Sequence, residues 1–222
     1  MSRIEFSLQR LKTVVEESEN RLRRLHAPLE EAIRGVTLSL EGIPPDDEDG
    51  FPGWETVLDE GTRYLEDLLG MAFTAAQTQI KAVEATARSL STELHKDHQR
   101  GVENVQKQLL DRGYRLDNGV AAIKFANAVA DFWKHRDQWD GDAWSWIEGR
   151  PEDVGKKANS VTARTGIYLR DSGLSAGDIG QMPKLARFFG ITDYADLDPL
   201  RKAVHYWGHD LVFEIEREFE LA

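Results

Sequence analysis

Phe125-Ala-Asn-Ala-Val-Ala-Asp131-Phe-Trp-Lys-His135-Arg-Asp-Gln-Trp139 is the stretch on which the fold class turns. Projected at 100° per residue, positions 120–138 separate into two faces. Phe125, Val129 and Phe132 fall on one face; Asn127, Asp131, Lys134 and Gln138 fall on the other, with Lys124 and His135 at its edge. This pattern predicts a two-faced helix in an all-α body, its Asn-Asp-Lys-His side turned toward a shared hollow. Four of the six tryptophans, Trp133, Trp139, Trp144 and Trp146, also fall within fourteen residues here. They either fill and lid the core, each indole N–H finding one acceptor, or line a binding surface.

Upstream, Ile4, Leu8, Leu11, Val15, Leu22, Leu25 and Leu29 describe an amphipathic helix with one buried stripe. Pro28 lacks the amide hydrogen of an internal turn, so a break or kink is expected there, with a restart as far as Gly35. Val36 to Glu41 alternates with a period of two but has no pairing partner, which predicts an extended connection or one frayed turn. Gly42 to Gly53, with Pro44, Pro45 and Phe51-Pro-Gly, is the strongest linker. A helix then runs from Trp54 to about Leu68, with Gly70 as its expected break. Ile80, Val83, Ala87, Leu90, Leu94, Val102, Val105 and Leu109 mark a helix over residues 71–111, a bundle element or a dimer seam.

Downstream, Gly113 is expected to cap that helix and Asp117 to N-cap the next, which reaches Gln138. Residues 140–149 read as a turn plus a short helix, and Pro151 starts a helix running to Asp171. Glycines 173, 177 and 180 mark a loop, Pro183–Phe189 a short helix, and the last helix starts near Asp196. The expected architecture is a single all-α domain over 1–222 with seven or eight helices, divisible at most into 1–43, 53–150 and 151–222.

At 222 residues the chain can bury a substantial core, and 41% hydrophobic with 30% charged residues is too apolar for disorder. No apolar run approaches the roughly 20 residues of a bilayer span. The first residues lack the apolar segment of a signal peptide, and cysteine is absent, so a cytoplasmic setting without disulfides is expected. A net charge of −11 opposes general attraction to nucleic acid without removing a local basic site. The acids cluster at residues 46–66 and along Glu214, Glu216, Glu218 and Glu220.

Histidines supply the remaining chemistry. Histidine as a residue type changes charge near neutral pH, so His135 suits acid or base work, with Lys134 as an anion binder. On the last helix Arg201, His205 and His209 form a stripe. His205/His209 and His95/His98 have metal-ligand spacing, but the Glu of the His-Glu-x-x-His zinc motif is missing, so no metal site is assigned. No Walker loop, dinucleotide-binding glycine motif, nucleophile elbow or calcium loop is present, so no cofactor or nucleotide is expected.

The helix carrying Asn127 through Trp133-Lys134-His135-Arg136-Asp137, in an acidic all-α chain, resembles bacterial HEPN-type helical proteins, many of them ribonuclease toxins or their inactive relatives. The resemblance covers residues 55–150 and the last helix. It implies metal-independent RNA cleavage by an Arg separated from a His by four to six residues, in a dimer cleft. Arg21–His26 and Arg88–His95 match that spacing. Arg201 stands too near His205 and too far from His209. Upstream of His135 the Arg position holds Ala128, Val129 or Ala130. Without the cation that stabilises a developing phosphorane, the resemblance implies a non-catalytic member.

The leading expectation is therefore a non-catalytic or weakly catalytic binding or regulatory protein. It acts through a protein partner or self-association, with Asn127, Asp131, Trp133, Trp139, Trp144 and Trp146 as its binding residues. The alternatives are a ribonuclease gathering His135, Lys134, Arg201 and His205 around RNA, and a scaffold that dimerises through 71–111.

Overall fold

The computed structural model describes residues 3–42, 54–94, 109–136, 161–170, 172–174 and 180–220. Its helices are α1 (Arg3–Glu41), α2 (Trp54–Leu94), α3 (Ala122–Lys134), α4 (Val161–Leu169), α5 (Gln181–Phe189) and α6 (Asp198–Glu220), with a single 3-10 turn at Leu109–Asp111. Among the described residues there is no strand, only an isolated antiparallel bridge between Arg115 and Ala121. The all-α expectation holds. No helix among them is long and apolar enough to cross a membrane.

α1 and α2 form a long antiparallel hairpin. Ser7 donates to Glu93 Oε2 at 2.8 Å near its open end, His26 Nε2 lies 3.2 Å from the Ala72 carbonyl oxygen midway, and Leu40 packs on Gly61 near its tip. α6 runs antiparallel to α1, with Arg201 on Glu30 at 2.6 Å, Gly208 on Val15 and Lys12 on Glu216 at 2.5 Å. α3 lies antiparallel on α2, and α4 and α5 pack against α3. The N-terminus of α5 docks on α2, where the Met182 amide donates to Glu66 at 3.2 Å. Buried side chains from all six helices form one cluster, centred on Leu22, Phe73, Phe125, Leu185 and Trp207.

Several expected boundaries are corrected. α1 passes through Pro28 without a break, because Pro28 is exposed and the carbonyl it leaves unbonded can be hydrated. α1 also continues through 36–41. Val36 and Leu40, one turn apart, both pack toward α2, so the period of two is overridden by burial. Gly70 does not end a helix but lies within α2. The long helix starts at Trp54 instead of residue 71, and Leu109–Asp111 is a separate 3-10 turn. Residues 95–108 lie outside the described residues.

α3 begins at Ala122, not at Asp117, and Ala121 caps it without a side-chain hydrogen bond. Residues 116–121 instead form a tight turn. Gly119 sits at φ +77° there, and the Asn118 side chain accepts from the Val120 amide at 3.1 Å. Gly190, at φ +101°, ends α5 where the sequence places its stop.

An exposed interior proline costs a helix one hydrogen bond but stiffens the unfolded chain. Pro28→Ala is expected to raise stability by at least ~1 kcal/mol. A urea unfolding midpoint equal to or below that of the parent chain would contradict this account of α1.

Candidate functional site

α3 is two-faced, as its sequence requires. Phe125, Val129 and Phe132 are buried, and Phe125 stacks on Phe188 at 5.2 Å between ring centres. The polar stripe meets α2 at Gln77, which is only 3% exposed. The Gln77 side-chain amide donates to the Asn127 carbonyl at 3.1 Å, to Asn127 Oδ1 at 2.9 Å and to Asp131 Oδ1 at 2.8 Å. Asn127 in turn donates to Asp131 Oδ2 at 3.3 Å. Lys134 closes the ring by donating to Gln77 Oε1 and standing 3.1 Å from Asp131. A half-buried carboxylate thus receives two amides and an ammonium, the satisfaction such a group needs.

Beside this network is a cleft of about 240 Å³, bounded by Leu110, Lys124, Asn127, Ala128, Asp131, Thr165 and Tyr168. Lys124 pairs with Asp111 and sits 5.4 Å above the Tyr168 ring. The sequence predicts a shared hollow facing the whole Asn-Asp-Lys-His side. Asn127 and Asp131 line this cleft while Lys134 and His135 do not. Lys124, the only cation among its described lining residues, already has a carboxylate partner. His135 caps α3 through its backbone N–H and is exposed.

Trp133 packs on Gly70, with the Arg136 guanidinium 3.7 Å from the indole centre on the ring face and 3.2 Å from Asp67. It is half-buried, a lid on the α2–α3 seam. Trp139, Trp144 and Trp146 lie outside the described residues, as do Gln138, His95 and His98.

The remaining candidates belong to the α1–α6 seam. Arg201 bonds Glu30 at 2.6 Å and Asp198 at 3.4 Å, and Glu30 also accepts the Leu197 amide at 2.9 Å. His205 Nδ1 lies 2.8 Å from Glu19 Oε2, with the His209 ring 4.3 Å away. Asn127, Asp131 and Lys134 are therefore brought together, whereas Arg201 and His205 are held in a different helix pair. Among the described residues no group of three or more His, Asp or Glu is placed to hold a metal ion.

No family model, curated protein or solved structure matches this chain.

Arg21 and His26, spaced like the ribonuclease motif, do not share a cleft. Arg21 is exposed and pairs with Glu17 at 2.7 Å, while His26 is fully buried beside Ala72. Burial lowers the His26 pKa to about 4, so it is a neutral core residue at neutral pH. Arg88 pairs with Glu84 on its own helix. Sequence reading missed Gln77, which joins the network from another helix, and Trp207, fully buried with its indole N–H donating to the Leu109 carbonyl at 2.7 Å. Trp207 falls on the apolar line of α6 with Val204 and Leu211, a signal the sequence did carry.

Proposed function

We propose that this chain is a non-catalytic, HEPN-like helical protein that works by binding, through a protein partner or by self-association. The observation that carries this reading is that, the exposed His135 apart, its candidate catalytic and cationic side chains are already engaged by acids or amides of the fold. Asp131 and Lys134 neutralise each other around Gln77, Lys124 faces Asp111, Arg201 is held by Glu30, and His205 stands against Glu19. A transition state with growing negative charge needs cations aimed at it and free of internal carboxylates. Exposed large apolar side chains, by contrast, are several, among them Leu25, Leu38, Val57, Tyr64 and Met71 on α1 and α2 and Tyr206 and Phe213 on α6. A cytoplasmic setting accompanies this reading, in keeping with a chain that has no cysteine.

The test is incubation with total RNA in the presence of a chelator, comparing the parent chain with His135→Ala. RNA is expected to remain intact with both. Cleavage by the parent that disappears in His135→Ala would replace this reading with the metal-independent ribonuclease.

A further inference from the structure

An asparagine followed by glycine is the pairing most open to loss of its side-chain amide, because the second residue has no side chain to hinder its backbone nitrogen. The asparagines of this chain are Asn20, Asn104, Asn118, Asn127 and Asn159, and only Asn118 precedes a glycine. The chemistry is intramolecular. The Gly119 nitrogen, its proton taken by hydroxide, attacks Asn118 Cγ; the Cγ–Nδ2 bond breaks and ammonia leaves, closing a cyclic imide. Water then opens either imide carbonyl, giving aspartate or isoaspartate at position 118. Overall a water is consumed and an ammonia released.

The fold ties down both reacting groups. The Gly119 amide donates to the Leu116 carbonyl at 2.8 Å, and the Leu116 amide donates to the Val120 carbonyl at 2.9 Å, closing the loop around it. Arg115 Nη1 holds the Gly119 carbonyl at 2.7 Å. Asn118 Oδ1 accepts from the Val120 amide at 3.1 Å, while Nδ2 donates to the Tyr168 and Arg170 carbonyls at 3.4 and 3.3 Å. Cγ cannot swing onto the nitrogen until these bonds part. Asp117 and Gly119 on either side are exposed, and a short turn of this kind opens at far lower free energy than the whole fold.

The same bonds give the reaction a structural consequence. Tyr168 lies in the last turn of α4 and Arg170 just beyond it, so Nδ2 serves carbonyls at the negative end of that helix. A carboxylate at 118 presents lone pairs to those carbonyls in place of donors. Arg115, the cation of the same turn, is engaged by the Gly119 and Asp111 carbonyls. Isoaspartate also adds a methylene to the backbone inside the loop that Leu116 and Val120 close. α4 carries Thr165 and Tyr168, which wall the cleft beside Asn127 and Asp131, so freeing its end loosens that wall.

We infer that Asn118 is a self-modifying site. It stays unreacted while the 116–121 turn is closed and converts to aspartate or isoaspartate when the turn opens. The product then unfastens the C-terminal end of α4.

The test ages the full chain at mildly alkaline pH, in buffer and in urea that unfolds it, and follows the tryptic peptide 116–124 by mass spectrometry. That peptide holds no other asparagine and no glutamine. In urea Asn118 is expected to convert before the other asparagines, and in the folded chain at least ~10-fold more slowly. Hydrogen exchange reads the consequence. Amides 165–169 are expected to exchange about 10-fold faster in Asn118→Asp than in the parent. Asn118→Ala, which loses the donors without gaining the charge, is expected to fall between them. If Asn118→Asp does not fold, the converted fraction of the parent aged in buffer, separated by ion exchange, takes its place. A peptide 116–124 left unconverted in urea overturns the site, and equal rates in buffer and urea overturn its protection by the turn. Exchange in α4 as slow in Asn118→Asp as in the parent, or equal in the two variants, overturns the release.

Discussion

Gly70→Ala is expected to destabilise the protein by about 2 kcal/mol, although alanine is the better helix former by about 1 kcal/mol. A Cβ at residue 70 would stand 2.2 Å from two ring carbons of Trp133 and 2.5 Å from its Nε1. Bonded geometry leaves α2 no means of yielding there, so the indole must leave. A half-buried indole gives up contact worth roughly 3 kcal/mol at 25 cal/mol per Å². Arg136 then loses the ring on which it stacks. Gly35→Ala supplies the opposite case, because nothing lies within 4 Å of its Cβ position in α1. It should stabilise by about 1 kcal/mol. Urea unfolding of both variants, with the Trp133 indole N–H followed by NMR, reads the two effects together. A Gly70→Ala protein as stable as its parent, with that resonance unmoved, would refute the packing argument.

Acidification is expected to weaken the fold by about 3 kcal/mol between neutral pH and pH 4, chiefly through His26. Burial lowers its folded pKa from 6.5 to about 4. Between those values the unfolded chain binds a proton that the folded chain refuses, so stability is full above pH 6.5 and declines as pH falls toward 4. The surroundings offer a proton little welcome. Burial dominates, Nδ1 has no hydrogen-bond partner among the described residues and Arg201 acts against the charge, while the Ala72 carbonyl beside Nε2 and Glu30 favour it without offsetting burial. Unfolding free energies at pH 7.5 and 4.5 should differ strongly in the parent and much less in His26→Leu. Equal differences in the two proteins would assign the acid sensitivity elsewhere.

Much of the architecture was legible in the chain. Leu11, Val15 and Leu22 are buried on the stripe their spacing defined, and Gly190 stops α5 as written. Leu25 of the same stripe is nonetheless 48% exposed, and His26 is buried beside it. The misreadings at Gly70 and Pro28 share one cause: glycine and proline are local signals whose meaning tertiary contacts decide. Gly70 is inside α2 because Trp133, sixty-three residues later, needs the space its missing side chain leaves. Pro28 survives inside α1 because it faces solvent. At the site, the spacing of Asn127, Asp131 and Lys134 was sufficient to predict a shared face. Gln77 escaped because periodicity along one helix says nothing about which residue of another will meet it. His26 shows the converse error. A spacing that fits a catalytic pattern marks, in three dimensions, a residue sealed in the core.

The seam between α1 and α6 has a consequence for biosynthesis. Glu30 waits for Arg201, which the ribosome adds 171 positions later. At about 5–20 residues per second, that interval is on the order of 10–30 s. Throughout it, Val15 lacks the glycine that will cover it and Glu30 lacks its counter-charge. A nascent chain therefore carries a first helix with one seam uncovered until α6 emerges. Emergence of α6, not completion of the early hairpin, covers that seam.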